Sequence, residues 1–346
     1  MNDKQEKVQL VLYKAIDKKK VFGASFCIKN KGELYFAASG NMEENSQYFI
    51  ASTTKLFTTA VILNLRSNGK LNLEDSISKY IEPSILEGLH KYKNNDYSSK
   101  ITIKNLLAHT SGLPDYFQGK NDKGQSLEIE LMEREDRAWS FDESIQMTKS
   151  LNSIFPPGTN GKANYSDTNF QILGKIIEFI TEKSLSENYK ELIISPLELE
   201  KTYLYNDISD KRPIDMYYKN RLLHIPKAMT SFGPDGGIVS TSKDMIVFIE
   251  SFFKGKFFPE SYIPELKVWN PIFFPMQSGI GIHRFKLPWI FNPFGVVPEL
   301  IGHSGLSGAL AYCNLEKDLF ITGTVNQIAY TDSSFRLAIK LIQSLR

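Results

Sequence analysis

Strand-like sequence occurs at both ends of this chain, and helical sequence fills the middle. Near the N-terminus, residues 22–29 and 33–38 are rich in aromatic, β-branched and small apolar residues. Asn30, Lys31 and Gly32 lie between them as a hairpin turn. Two strands of this length do not make a stable sheet alone. Further strand candidates come only at 279–285, 299–302, 308–314 and 319–325. The intervening chain instead repeats apolar residues at helical spacing, most clearly over 168–180 with Phe170, Leu173, Ile176, Ile177 and Ile180. Other helices are expected near the N-terminus (Val8, Leu12, Ala15, Ile16) and over 127–139, 141–151, 186–194 and 333–345. The expected fold is therefore α/β: an antiparallel sheet from 1–80 plus 250–346, flanked by the terminal helices. A mainly helical domain, 81–249, is inserted into it, with the active site between the two.

Composition narrows the function classes. Forty-one Lys and Arg are interspersed with 39 Asp and Glu among 346 residues, and they leave no basic stripe for nucleic acid. No run reaches transmembrane length, and residues 1–20 lack the apolar core of a signal peptide. The expected location is the cytoplasm, or outside the cell if a leader was trimmed. Cys27 and Cys313 have no metal-ligand spacing and read as two isolated buried thiols. Neither a metal nor an organic cofactor is implied.

Four segments carry distinctive chemistry. In Ser52-Thr53-Thr54-Lys55 a helix begins at any of the three hydroxyl residues and runs until Gly69. Ser52 and Lys55, three apart, share one face of the first turn. The unpaired N–H groups there favour negative charge, which suits a nucleophile whose attack creates an oxyanion; an ordinary helix start is the alternative. In Tyr165-Ser166-Asp167, Ser166 or Asp167 either caps the following helix or takes part in a site. The glycine-containing turn over 232–241 reads as scaffold. In His303-Ser304-Gly305-Leu306 the glycine permits close backbone approach, and His303 is open to structural and functional roles alike. Residues 115–138 are polar and show no site. Residues 269–298 interleave Trp269, Phe273, Phe274, Phe285, Trp289, Ile290, Phe291 and Phe294 with prolines. They form a core cover, an apolar wall for a substrate pocket, or a patch for lipid or a partner.

In this order, Ser52-Thr53-Thr54-Lys55, Tyr165-Ser166-Asp167 and His303-Ser304-Gly305 resemble the three motifs of the serine penicillin-recognising enzymes. These are the class C β-lactamases, the D-alanyl-D-alanine carboxypeptidases and the related esterases and D-aminopeptidases. The flanking Leu106-Leu107-Ala108-His109-Thr110-Ser111-Gly112-Leu113, Phe155-Pro156-Pro157-Gly158 and Gly236-Gly237-Ile238-Val239-Ser240-Thr241 also match, so the likeness spans about residues 20–345. The resemblance implies a β-lactamase/transpeptidase-like fold. It implies a covalent acyl-enzyme on Ser52, proton transfer shared by Lys55 and Tyr165, and an oxyanion hole from the backbone N–H groups of Ser52 and Leu306. Ser304 and Gly305 would border the substrate.

Two departures bear on substrate. The third motif usually has lysine where His303 stands, and a mostly neutral imidazole recognises a substrate carboxylate poorly. Asp167 replaces the usual asparagine, and its carboxylate can face Lys55, His303 or a substrate amine. The expected activity is hydrolysis of small esters, with weak β-lactam hydrolysis as a secondary activity. A D-amino-acid amidase or peptidase, a D-alanyl-D-alanine carboxypeptidase-like enzyme and a catalytically retired binding protein are the alternatives. The expected partner is a small ester, amide or β-lactam.

Overall fold

A computed structural model describes residues 3–133, 135–292 and 295–345. The chain ends do converge on one sheet. Its strands are β1 (Gly23–Asn30), β2 (Glu33–Gly40), β3 (Asn270–Phe273), β4 (Met276–Ser278), β5 (His283–Phe285), β6 (Leu300–Ser304), β7 (Leu310–Asn314) and β8 (Leu319–Thr324). They pair antiparallel in the order β3-β4-β5-β6-β7-β8-β1-β2. The N-terminal hairpin thus gains its partners from the last third of the chain.

Side-chain alternation along β1 explains why both faces are covered. Phe26 and Ile28 join one apolar group with Val8, Leu12, Leu337 and Leu341 of the terminal helices Asp3–Ala15 and Asp332–Ser344. Cys27, between them in sequence, points to the opposite core with Ala311, Cys313 and Phe320, where the Ser242–Phe253 helix packs. Both cysteines are buried free thiols. The Lys55–Ser67 helix is buried on nearly every side, as its unbroken apolar run requires, and it lies against the Asp167–Thr181 helix. Residues 81–249 place no strand in the large sheet; Ile238–Ser240 pairs instead with Tyr48–Phe49 and Tyr203–Leu204. Among the described residues no helix is long and apolar enough to cross a membrane.

Several local expectations need correction. The strand expected over 279–285 begins only at His283; residues 279–282 are a turn closed by Gly279 N–H to the Ile282 carbonyl (2.8 Å), joining β4 to β5. Gly281 is required there: its φ is +70°, and a Cβ would fall 2.3 Å from the Thr59 methyl. The helix expected over 127–139 ends at Glu133. No hydroxyl caps the Ser52 region either. A 3₁₀ turn, Ala51–Thr54, runs straight into the helix at Lys55 with no side-chain cap bond. Ser166 stands at the N-cap of the Asp167–Thr181 helix, but its hydroxyl donates to the Pro114 carbonyl (2.9 Å) and leaves the helix uncapped.

Candidate active site

Ser52 is set by backbone geometry. Ala51, just before it, has φ +45°, a left-handed conformation costly for a residue with a Cβ. It turns the chain sharply from the Tyr48–Phe49 strand into the 3₁₀ turn. One helical step later Lys55 is fully buried. Its Nζ lies 3.1 Å from Ser52 Oγ, 2.7 Å from the Asp235 carbonyl and 2.6 Å from Asp167 Oδ1. The first two oxygens accept hydrogen bonds from the ammonium, and the Asp167 contact is an ion pair. The Tyr165 hydroxyl donates to Ser52 Oγ at 2.7 Å, so lysine and tyrosine meet on the same oxygen. Burial, with the Asp167 charge beside it, holds the Tyr165 phenol well above its ordinary pKa.

Asp167 therefore turns toward Lys55 and not toward His303. Residues 106–113 and 155–158 hold the Tyr165 loop in place. The Ser166 N–H donates to His109 Nδ1 (3.1 Å), the Asn164 side chain donates to the Leu113 carbonyl (3.0 Å), and the His109 ring stacks on Tyr165 at 4.6 Å. Gly112 accepts no side chain, because its Cβ would lie 1.9 Å from the Phe155 carbonyl.

The third motif reaches Ser52 through Gly305. A Cβ on Gly305 would fall 2.4 Å from the Ile50 carbonyl and 3.0 Å from the Ser52 nitrogen. The loop is tied down by Gly305 N–H to the Ala309 carbonyl (2.8 Å) and by Ser307 Oγ to the Phe49 carbonyl (2.7 Å). Among the described residues, the N–H groups of Ser52 and Leu306 meet no intramolecular acceptor. Two such donors beside a nucleophile are the components of an oxyanion hole.

His303 is not where a substrate-binding group would be. It is 1% exposed and absent from the cavity lining, whereas Ser304, Gly305 and Leu306 are part of that lining. Its Nδ1–H donates to the Ser304 carbonyl (2.8 Å), and its ring stacks on His283 at 3.9 Å. Burial pushes the His303 pKa well below 6.5, as do the neighbouring His283 and Lys55. The physical reason for the correction is the strand register. β5 pairs with β6, and the ring of His283 stacks on that of His303 at 3.9 Å, so a second imidazole rather than solvent covers His303.

Sequence reasoning missed three groups. His283 is 2% exposed, touches the cavity and has both ring nitrogens unpaired; burial and the Lys55 charge push its pKa down to about 3. Asp235 lies in the glycine turn read as scaffold. Its Oδ2 accepts from the Tyr116 hydroxyl and Gln171 Nε2, both at 2.9 Å, and its Oδ1 is unpaired. Asp115 falls in the stretch read as siteless and accepts from the Phe117 N–H (2.9 Å). Burial, together with the Asp167 charge, holds both carboxyls well above the usual carboxylate range. The position of Asp235 beside the Gly236-Gly237 signature was the one available signal.

A cavity of about 230 Å³ opens over Ser52. Of the aromatic residues considered for its wall, Phe273 lines it, edge-on to Tyr165 at 6.1 Å. Trp289 does not; it is 77% exposed beside a separate outer groove. The side chain of Phe291, and Phe294, lie outside the described residues. Asp167 and Asp235 are the acidic residues among the lining, and no lysine or arginine is among the described ones.

A serine oxygen held by a lysine and a tyrosine, beside two free N–H groups, is a site for nucleophilic acyl transfer. The comparisons agree with that class. The Beta-lactamase family model matches residues 9–342, and the chain belongs to this family of serine hydrolases. Protein flp of Staphylococcus aureus (strain MW2) is 28% identical over 216 residues, covering 58% of this chain and 38% of that protein. Teichoic acid D-alanine hydrolase of the same species is 25% identical over 276 residues, covering 75% and 61%. The chain thus spans about two fifths of the length of the flp proteins it matches. The D-amino acid amidase of Ochrobactrum anthropi SV3, solved with D-phenylalanine, superposes with TM-score 0.81 at 20% identity over 99% of both chains. The fold is that of the β-lactamases and transpeptidases, as the three motifs implied.

Proposed function

We propose that this hydrolase cleaves small esters and amides whose acyl part carries no negative charge, through a covalent acyl-enzyme on Ser52. The observation that carries the reading is the convergence of Lys55 and Tyr165 on Ser52 Oγ, at 3.1 and 2.7 Å. Lys55 passes one proton to the Asp167 carboxylate, 2.6 Å away, and its amine takes the Ser52 proton as Ser52 attacks the carbonyl carbon, while the N–H groups of Ser52 and Leu306 take the developing oxyanion. Tyr165, kept as a neutral phenol by its burial, protonates the leaving group. Water then repeats the sequence on the acyl-enzyme and frees the acid.

The absence of negative charge follows from electrostatics. The carboxylate of a β-lactam or a peptide C-terminus would meet the Asp167 carboxylate on the cavity wall, with the neutral His303 behind it. The nearest cation, Lys55, already holds Asp167. The Asp167 carboxylate at the cavity wall favours a second, narrower reading, an acyl donor bearing an amine, such as a D-aminoacyl amide. The D-amino acid amidase and the teichoic acid D-alanine hydrolase support it by analogy alone.

Turnover of a panel tests both: p-nitrophenyl esters, D-aminoacyl amides each paired with its des-amino counterpart, and nitrocefin, with Ser52→Ala as control. The expected order puts the uncharged and amine-bearing substrates far above nitrocefin. A preference for nitrocefin would refute the charge argument. Equal rates for the amine and des-amino pairs would leave the ester reading and remove the amine reading.

A further inference from the structure

The cavity is unequal in its two halves. Beside Tyr165 it is bordered by Phe273 and His283, whose ring centroids lie 6.1 and 5.9 Å from that of Tyr165. The part of the lining that belongs to one apolar group with Tyr116 contains three of the chain's eight methionines, Met132, Met216 and Met229, with the Asp235 carboxyl bonded to Tyr116 at its edge. They come from three separate elements: the Leu127–Glu133 helix, the Met216–Tyr218 strand and the Pro226–Phe232 helix. All three are at most 5% exposed, so they are held in the core while still bordering open space. Phe117 and Phe232 complete the wall, and the side chain of Leu306 packs on the same apolar group.

That last contact orients the chamber. Leu306 supplies its N–H to the oxyanion position and its side chain to the methionine wall. A carbonyl seated there therefore has the apolar half on one side and the Tyr165 phenol, the leaving-group donor, on the other. Interiors are ordinarily close-packed, so an unfilled apolar space beside a nucleophile is a place for a ligand. Unbranched, polarisable methionine side chains adapt to flexible chains better than a rigid wall does.

We propose that the methionine-walled half is an acyl-chain chamber that selects medium-length apolar acyl groups. The proposal rests on the serine hydrolase reading above and deepens it. With about 230 Å³ of free space, in a measure where one water-sized group needs about 15 Å³, the whole cavity holds roughly fifteen such groups, about half of them in the methionine-walled part. The chamber therefore takes an acyl chain of about six to eight carbons once the ester oxygens are placed. The alcohol or amine lies toward Phe273.

The test is kcat/KM for p-nitrophenyl esters from acetyl to dodecanoyl, set beside hexanoyl esters of alcohols of increasing length. Each methylene entering the chamber is expected to raise kcat/KM about fourfold, until the rise stops near octanoyl. Met229→Trp, which fills the chamber, shifts the best substrate to butanoyl or shorter; Met229→Ala shifts it to longer chains. Labelling by a fluorophosphonate counts folded sites in each variant, so a misfolded Met229→Trp leaves the wild-type series and Met229→Ala to decide. A flat acyl series, a length dependence confined to the alcohol, or variants that scale all acyl lengths equally would overturn the chamber. Loss of Ser52-dependent labelling in the wild type would instead overturn the hydrolase reading on which it rests.

Discussion

Replacing Tyr165 with phenylalanine separates chemistry from structure. Among the described residues the Tyr165 hydroxyl bonds only Ser52 Oγ, at 2.7 Å, and the ring is held by His109 at 4.6 Å and Phe273 at 6.1 Å. Removing the hydroxyl keeps those ring contacts, so unfolding free energy should change by no more than about 1 kcal/mol. The kinetic effect should be far larger. A positioned general acid contributes roughly 10²- to 10⁴-fold, about 3–5 kcal/mol of barrier. Because burial and Asp167 keep the phenol protonated, its loss should be felt where a leaving group needs a proton. With alkyl esters and amides, kcat/KM should therefore fall by about 10³-fold. With a p-nitrophenyl ester, whose anion departs unaided, the fall should be at least tenfold smaller. Stopped-flow acylation on the two substrate types, with thermal melts as the folding control, gives the comparison. Equal losses on both leaving groups would refute the leaving-group role and move Tyr165 to the deprotonation of Ser52.

Gly305→Ala places a methyl group 2.4 Å from the Ile50 carbonyl and 3.0 Å from the Ser52 nitrogen. Pushing Leu306 away should lower kcat by about 10²- to 10³-fold, the usual cost of one oxyanion donor. Near-wild-type kcat would show that the loop does not form that hole. Stability should also depend on acidity. His109, His283 and His303 are buried with pKa values below 6.5, so the unfolded chain binds more protons and their contribution is lost as pH falls. The window runs from 6.5 down to about 3 for His283, with a slope of up to about 1.4 kcal/mol per pH unit for each histidine. The buried Asp115 and Asp235, with raised pKa values, work in the opposite direction and lose their contribution as pH rises above 3.8. Denaturant melts from pH 7 to 4 should show His283→Gln with a shallower decline than the wild type; parallel curves would contradict the burial argument.

The meeting of Ser52, Lys55 and Tyr165 was legible in sequence because it rests on local spacing. Ser52 and Lys55 share one turn, and Tyr165 and Gly305 stand in short motifs whose backbone constraints are visible in the residues themselves. The sheet was legible for a similar reason, since a lone hairpin at 22–38 demands partners. What escaped depends on register and on long-range burial. Nothing local in Asp115 or Asp235 reveals that both face Lys55 from segments 120 residues apart. Nor does anything in 269–298 reveal that Phe273 turns to the cavity while Trp289 turns away. The sequence left His303 open to structural and functional roles, because its imidazole is covered by His283, which stacks on it from the neighbouring strand.

Trapping the acyl-enzyme tests the central claim most directly. Rapid acid quench during turnover of a hexanoyl ester, followed by intact-mass and peptide analysis, should show one hexanoyl group on Ser52. The adduct should be missing in Ser52→Ala and scarce in Lys55→Ala. Continued turnover by Ser52→Ala, or an adduct on any other residue, would contradict the assignment of Ser52 as the nucleophile.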